Sequence, residues 1–294
     1  MHLEQEIESQ PEIIANLLAV QREHVAQIAA AVREFDPAYV CIAARGTSDN
    51  AARYAAYLFG AQLSLTVALS TPSLHTLYEA PPNMSKALVI GVSQSGQAED
   101  VRRVLQDGRE QGALTLAITN YADSPMAQTA VHHLPLLAGD EISIAATKTY
   151  TAQLTTFAML CAALKDDAAM FEALAQLPDH MRQAVDLAAA IPEWAERYRY
   201  MEQYAVIGRG YNYATAFEIS LKVKELCYLS GEGYSEADFR HGPIAAIGGG
   251  FPVVLVAPSV DAVGELPPLE AAANPKTGPQ PFSPDGAIVV AHGG

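Results

Sequence analysis

Leu88-Val-Ile-Gly-Val-Ser-Gln-Ser-Gly96 is an apolar run that stops abruptly in two hydroxyls, an amide and a glycine. The run reads as a buried central strand. Beyond Gly96, the apolar positions Ala98, Val101, Val104 and Leu105 recur at helical spacing, so the turn joins a strand end to a helix start. Ser93 and Ser95 therefore sit at the positive end of a helix. Free backbone N–H groups, the helix dipole and two short hydroxyls make a phosphate cradle there that needs no lysine. The competing reading is a serine-rich turn that merely caps a helix, since Ser and Gly are ordinary turn residues. Two further hydroxyl-rich turns favour the cradle.

The first of these lies upstream. Residues 3–34 carry apolar positions at mixed spacings of three and four, with Pro11 where a helix can begin. Tyr39–Ala44 then reads as a strand, and Arg45-Gly-Thr-Ser-Asp-Asn50 as a turn feeding an alanine-rich helix over 51–60. A short strand (64–69), a short helix (72–78), the helix 97–111 and the strand 114–119 follow. Ser124-Pro125 places a capping serine before a proline at the first helical position. Residues 133–137 close the unit. Strands alternating with helices at this spacing imply a parallel, doubly wound sheet with ligands at the carboxyl ends of its strands. The third hydroxyl-rich turn, Ala138–Thr149, precedes a helix over 150–164. Lys148 within it is either a ligand contact or a solvated lysine.

Composition narrows the function class. The chain has 294 residues, 50% of them hydrophobic, enough for two compact units with true cores. The start lacks a basic and then apolar leader, and no apolar run reaches the length of a membrane span, so a cytoplasmic protein is expected. A formal charge of −15 argues against nucleic acid or an anionic membrane as partner, and leaves any anionic ligand to be captured by local dipoles. Cys41, Cys161 and Cys227 sit inside apolar patterns without ligand-like spacing. They are expected to be buried thiols rather than disulfides or a metal site.

From Lys165 the chain turns polar and helical up to about Met201, which sets the domain boundary here at 165/166. Tyr204-Ala-Val-Ile-Gly-Arg-Gly210 then repeats the earlier Cys41-Ile-Ala-Ala-Arg-Gly46, so the two halves read as copies of one unit. Gly208 and Gly210 are no dinucleotide fingerprint, because Tyr213 stands where the third glycine belongs. In the helix expected over 212–229, Glu218, Lys222 and Glu225 share one face, either as a solvated ion-pair stripe or as chemistry. The segment from Gly231 through His241 to Pro243 has no regular period and is expected to be an irregular functional loop.

These motifs resemble the sugar isomerase (SIS) family. Ala44-Arg-Gly-Thr-Ser48, Ser93-Gln-Ser-Gly96, Glu141–Lys148, Gly208-Arg-Gly210, and Glu218 through Lys222-Val-Lys-Glu225 to His241-Gly-Pro243 carry the likeness, over roughly residues 5–258. It is similar to the isomerase half of glutamine-fructose-6-phosphate aminotransferase and to stand-alone amino-sugar-phosphate deaminases. The resemblance implies an α/β fold of two tandem flavodoxin-like SIS subdomains with parallel sheets, the second incomplete, working as a homodimer. The expected divisions are an N-terminal helical region (1–36), a first subdomain (37–165), a second (166–260) and an irregular tail (261–294). By the same resemblance, Thr47, Ser48, Ser93, Gln94, Ser95 and Thr147 bind the sugar phosphate. Glu225 moves a proton between C1 and C2, His241 assists ring opening and Lys222 lines the site. No metal and no cofactor is required.

Departures from the pattern bear on substrate and turnover. Ala98 and Ala146 stand where relatives carry hydroxyls, and the chain opens at the SIS region, with His2 at the second position, so a glutaminase domain is not expected. The family would continue beyond 257 to a loop carrying a lysine. Here prolines and glycines over 261–286 point to no stable packed element, and only 287–291 reads as a strand. Two functions follow: a glucosamine-6-phosphate deaminase or isomerase, its turnover weakened by the tail, or a non-catalytic sugar-phosphate-binding module.

Overall fold

The structure is a computed structural model that describes residues 2–188, 191–248, 251–257 and 287–291. The chain divides into two compact units, Met1–Ala189 and Ala190–Gly294. The first begins with helices α1 (His2–Glu8) and α2 (Gln10–Phe35), the latter with proline in its first turn as the sequence suggests. Then come β1 (Tyr39–Ala43), α3 (Thr47–Leu63), β2 (Val67–Leu69), α4 (Ser73–Thr76), β3 (Ala87–Ser93), α5 (Glu99–Glu110) and β4 (Leu114–Thr119). The unit ends in α6 (Pro125–Thr129), β5 (His132–Pro135), α7 (Lys148–Lys165), α8 (Ala168–Ala175) and α9 (Leu177–Leu187). The five strands are all parallel in the order β2-β1-β3-β4-β5, the flavodoxin-like arrangement.

Both faces of this sheet are buried, which is why its strands read as continuous apolar runs. Val40, Ile42, Leu88, Ile90, Leu116 and Ile118 pack on one side with α2, α3 and α7. Cys41, Ala43, Val89 and Ala117 point the other way, onto Val101, Val104 and Leu105 of α5 and Met126 of α6. The helices that follow β1 and β3 therefore lie on opposite faces, and the crevice at the carboxyl ends of these two neighbouring strands is the topological switch point. A buried carboxylate fastens α4 to α5: Asp107 accepts from His75 Nδ1 at 2.8 Å and pairs with Arg103 Nε at 2.9 Å. Burial of that charge is tolerable because both oxygens have partners.

The second unit repeats the plan. Helix α10 (Ile191–Glu196) leads into β6 (Gln203–Gly208), α11 (Tyr211–Cys227), β7 (Ser230–Tyr234), α12 (Glu236–Arg240), β8 (Val253–Ala257) and β9 (Ala287–Ala291). Its strands are parallel in the order β7-β6-β8-β9, which is the first four positions of the same arrangement. Tyr204 and Val206 face Ala216 of α11, while Ala205 and Ile207 face Phe239 of α12.

Several expectations shift. Helices α8 and α9 pack with the first unit, not the second: Met170, Phe171, Leu174, Leu177 and Met181 lie against its core, and Arg182 reaches Glu12 of α2 at 3.3 Å. The irregular segment expected after Gly231 is instead an edge strand and a short helix. Its glycines are there because a Cβ at Gly231 would fall on the Tyr204 ring, and one at Gly233 would come within 2.8 Å of the Phe217 backbone. Ser235 caps α12 by accepting from Asp238 N at 3.0 Å. Cys227 is exposed while Cys41 and Cys161 are buried, because it ends α11 beyond the helix's buried positions. Residues 287–291, assigned to the irregular tail, join the second sheet as β9, the strand their composition suggested. The expectation for 261–286 lies outside the described residues.

Candidate functional site

Two turns meet at the switch point of the first unit. Strand β1 ends at Ala43, and after Ala44-Arg45 the chain turns at Gly46, so α3 starts at Thr47, earlier than expected. Thr47 and Ser48 thus occupy the helix's first turn rather than a loop before it. Ser48 is buried, its N–H bonded to the Arg45 carbonyl at 3.1 Å, and its Oγ accepts from Gln153 Nε2 of α7 at 3.0 Å.

The second turn follows β3. Ser93 Oγ accepts from Gly96 N at 3.1 Å, and Ser95 Oγ accepts from Gln97 N at 3.3 Å. The Gln94 carbonyl accepts from Asn120 N at 3.0 Å, which pins the turn to the end of β4. Helix α5 has Ala98 as its N-cap, with no side-chain capping bond. The two serines therefore fold the loop and do not cap the helix. A hydroxyl that accepts from the backbone keeps its own proton to donate, which is what a phosphate oxygen requires. Arg45 and Asp100 join the two turns: Nε and a terminal nitrogen of the guanidinium both lie 2.6 Å from Asp100 Oδ2, in the first turn of α5.

The third turn is organised differently. Glu141 Oε1 accepts from Thr147 N at 2.9 Å and Thr149 N at 3.2 Å, and Oε2 accepts from the Thr149 hydroxyl. A carboxylate of the chain itself thus sits at the amino end of α7, where the dipole favours negative charge. Lys148 is buried, with Nζ donating to the Asp140 carbonyl at 2.6 Å. It is spent on its own loop, neither solvated nor turned to a ligand. Glu6 of α1 holds the same loop by accepting from Ile142 N at 2.6 Å and Ser143 N at 3.3 Å. Burial works to raise the Glu6 carboxyl, but the bonds from Ser143 and Ile142 outweigh it and hold the group below the ordinary carboxylate range.

In the second unit, Glu218, Lys222 and Glu225 share one face of α11. Lys222 Nζ lies 3.4 Å from Glu218 Oε1 and 2.6 Å from Glu225 Oε2. Their side chains are 8%, 19% and 31% exposed, so this is a partly buried ion-pair triad and not a solvated stripe. His241 is exposed and follows α12 directly, its N–H on the Asp238 carbonyl at 3.1 Å. Among the described residues no group of three or more His, Cys, Asp and Glu is gathered as metal ligands, and no helix is long and apolar enough to cross a membrane.

The sequence reading placed Arg45 and Glu141 within these turns but gave no fastening role to their side chains or to those of Asp100 and Gln153. An acid in the first turn of α5 and an amide in the buried middle of α7 were the available signals.

Two parallel sheets of flavodoxin-like order, the first with hydroxyl-bearing turns at the carboxyl ends of adjacent strands, define a class of doubly wound α/β domains. Within that class the chain belongs to the SIS domain family, whose model matches residues 37–163 and 201–262. It is 38% identical over 219 residues to the isomerizing glutamine–fructose-6-phosphate aminotransferase of Methanothermobacter thermautotrophicus, covering 74% of this chain and 37% of that one. The enzyme of the same name from Thermococcus kodakarensis is 33% identical over 264 residues, covering 86% and 43%. The chain thus spans less than half the length of these curated relatives. A crystal structure of a candidate phosphosugar isomerase from Silicibacter pomeroyi superposes with a TM-score of 0.85 at 34% identity, covering all of this chain and 86% of that one. Glucosamine-6-phosphate deaminase from Thermotoga maritima superposes at 0.79 over 100% of this chain and 85% of its own, but at 18% identity the likeness is one of fold.

Proposed function

We propose that the chain is a cytoplasmic, homodimeric amino-sugar-phosphate isomerase or deaminase that converts glucosamine 6-phosphate and water to fructose 6-phosphate and ammonia. The observation that carries the phosphate half is the pair of turns at β1 and β3, whose serine hydroxyls accept from protein N–H groups and retain their protons for an anion. Thr47, Ser48, Ser93, Gln94 and Ser95 are the proposed contacts. Thr147 belongs to the set by resemblance, with its N–H engaged by Glu141. In the second unit, interconverting an amino-sugar aldose with its ketose needs an acid/base on the ring oxygen and a carboxylate to relay the carbon-bound proton. His241 and Glu225 are those groups, and Lys222 orients the Glu225 carboxylate through its 2.6 Å contact.

The test is deuterium wash-in at C2 together with ammonia release from glucosamine 6-phosphate. Glu225→Gln should bind the sugar phosphate as the parent does yet lose about 10²- to 10⁴-fold in proton exchange, since an amide cannot accept that proton. Undiminished exchange removes Glu225 from the role. A second reading, a sugar-phosphate-binding module without turnover, is favoured by one fact: all six proposed phosphate contacts belong to the first unit and the acid–base groups to the second. Binding without exchange or ammonia release in the parent chain selects it.

A further inference from the structure

Gln153 is an amide in the buried middle of α7. It has no solvent exposure, and its neighbours along α7, Ala152 and Phe157 among them, are equally buried. A buried amide is expected to use both its ends. Only one is used here: Nε2 donates to Ser48 Oγ at 3.0 Å, while Oε1 finds no hydrogen-bond partner among the described residues. Methionine or leucine would fill the same volume without that penalty. Packing does not demand the amide either, because α3 and α7 are joined by Phe59 and Phe157, whose rings meet edge to face at 5.8 Å.

What the amide does is fix a hydroxyl. Ser48 Oγ has one proton and two acceptor positions. With one of those taken by the Gln153 N–H, the proton cannot point at that amide. We infer that Gln153 is a positioning residue of the phosphate site: it holds Ser48 as a hydrogen-bond donor to a phosphate oxygen. The inference rests on the phosphate-binding reading of the β1–α3 turn. It explains why a half-satisfied glutamine occupies this place. A carboxylate at 153 would take the Ser48 proton for itself and add a negative charge beside an anion, whereas a thioether would release Ser48 to rotate.

The experiment is titration calorimetry of the full chain with fructose 6-phosphate and, separately, inorganic phosphate. The variants are Ser48→Ala, Gln153→Met, Gln153→Glu and the double variant S48A/Q153M. Losing a hydrogen bond to a charged group, Ser48→Ala should weaken binding by about 10- to 150-fold. Gln153→Met should lose part of that, and Gln153→Glu at least as much as Ser48→Ala. Because Gln153 acts through Ser48, adding Gln153→Met to Ser48→Ala should change affinity by less than about twofold. Circular dichroism confirms folding. Gln153→Asn, which keeps the amide but falls short of Ser48, replaces the methionine variant if that one does not fold. A purely structural role would lower the melting temperature and leave affinity alone. Parent-like binding by folded Gln153→Met, or fully additive losses in the double variant, overturns the inference and leaves the phosphate reading standing. No binding of either probe by the parent chain overturns the phosphate reading itself, and the role of Gln153 falls with it.

Discussion

Gly46 and Gly210 hold the same backbone conformation, φ 53° and ψ −128° in one, φ 61° and ψ −129° in the other. Each precedes a helix of 17 residues, and each helix ends on a left-handed residue, Ser64 or Tyr228. The two units are thus built on one strand–turn–helix device, in which an Arg-Gly pair reverses the chain within a single residue. A Cβ at either glycine would meet nothing within 4 Å, so replacing it by alanine introduces no clash and tests the backbone alone. That region of φ and ψ is open in practice only to glycine. Gly46→Ala and Gly210→Ala should each lose about 1 to 3 kcal/mol in urea denaturation. A loss below about 0.5 kcal/mol, the range of ordinary surface substitutions, would show that the turn relaxes at little cost.

Arg45 and Asp100 should act on ligand binding with opposite signs. The pair is largely open to water, its side chains 55% and 31% exposed, so its removal should change stability by no more than about 1 kcal/mol. Its position at the amino end of α5 matters more, because Asp100 brings negative charge to the proposed cradle and Arg45 offsets it. Arg45→Ala should weaken fructose 6-phosphate binding several-fold, and Asp100→Asn should tighten it, both effects shrinking as salt is raised. Calorimetry at two ionic strengths decides. Changes of the same sign in the two variants would make the pair a surface tether without influence on the anion.

Much of the fold is legible in the chain because both faces of the central strands are buried. Leu88–Val92 and Leu114–Thr119 announce themselves as apolar runs, and the Ser124-Pro125 start of α6 is a local capping signal that the structure repeats, with Ser124 accepting from Ala127 N. Strand β7 was not legible. Ser230-Gly-Glu-Gly-Tyr234 has neither an apolar run nor alternation, and what selects its glycines is the Tyr204 ring and the Phe217 backbone, supplied from elsewhere in the chain. The same division runs through the site. Hydroxyls at strand ends are visible in sequence, whereas their fixtures arrive from far away: Glu6 reaches Ile142 and Gln153 reaches Ser48 across more than 100 residues.

Thiol chemistry should separate the cysteines in one measurement. Burial pushes the Cys161 thiol up to about 11 and raises that of Cys41, against a partial lowering by Ser70. Cys227 is exposed at the end of α11. At pH about 8 only about one in 10³ of the Cys161 thiols would be ionised even if reached by reagent. Native chain should therefore take up one equivalent of a maleimide quickly, mapped to Cys227, and the other two only on unfolding. Rapid labelling of Cys161 in the native state would mean that α7 opens far more readily than its packing implies.

Acid should weaken the first unit before its carboxylates titrate. His132 and His133 stand side by side on β5, and both rings lie below their ordinary value of 6.5. For His132 the cause is burial, with the charge of His24 on α2 adding to it. For His133 burial again leads, outweighing the bond with Thr119, and His24 contributes in the same direction. A depressed folded value means that near pH 6 the unfolded chain binds more protons than the folded one, so stability rises with pH there. The contribution is fully present above about 6.5, the unfolded value, and is lost as pH falls below it toward the lower folded values. Glu6 behaves likewise but in a lower window, its contribution present above about 4.5 and lost as pH falls further. Urea midpoints between pH 8 and 5 should therefore drop as pH falls toward 5, and His24→Gln, which removes the neighbouring charge, should flatten that drop. The far edge of the sheet would loosen first, because β5 carries the rings and, among the described strands, is paired with β4 alone. Hydrogen exchange at Leu134 that quickens at pH about 5.5 while Val89 stays protected would bear this out. A midpoint flat down to pH about 5 would show that the His132 and His133 rings take up protons without strain.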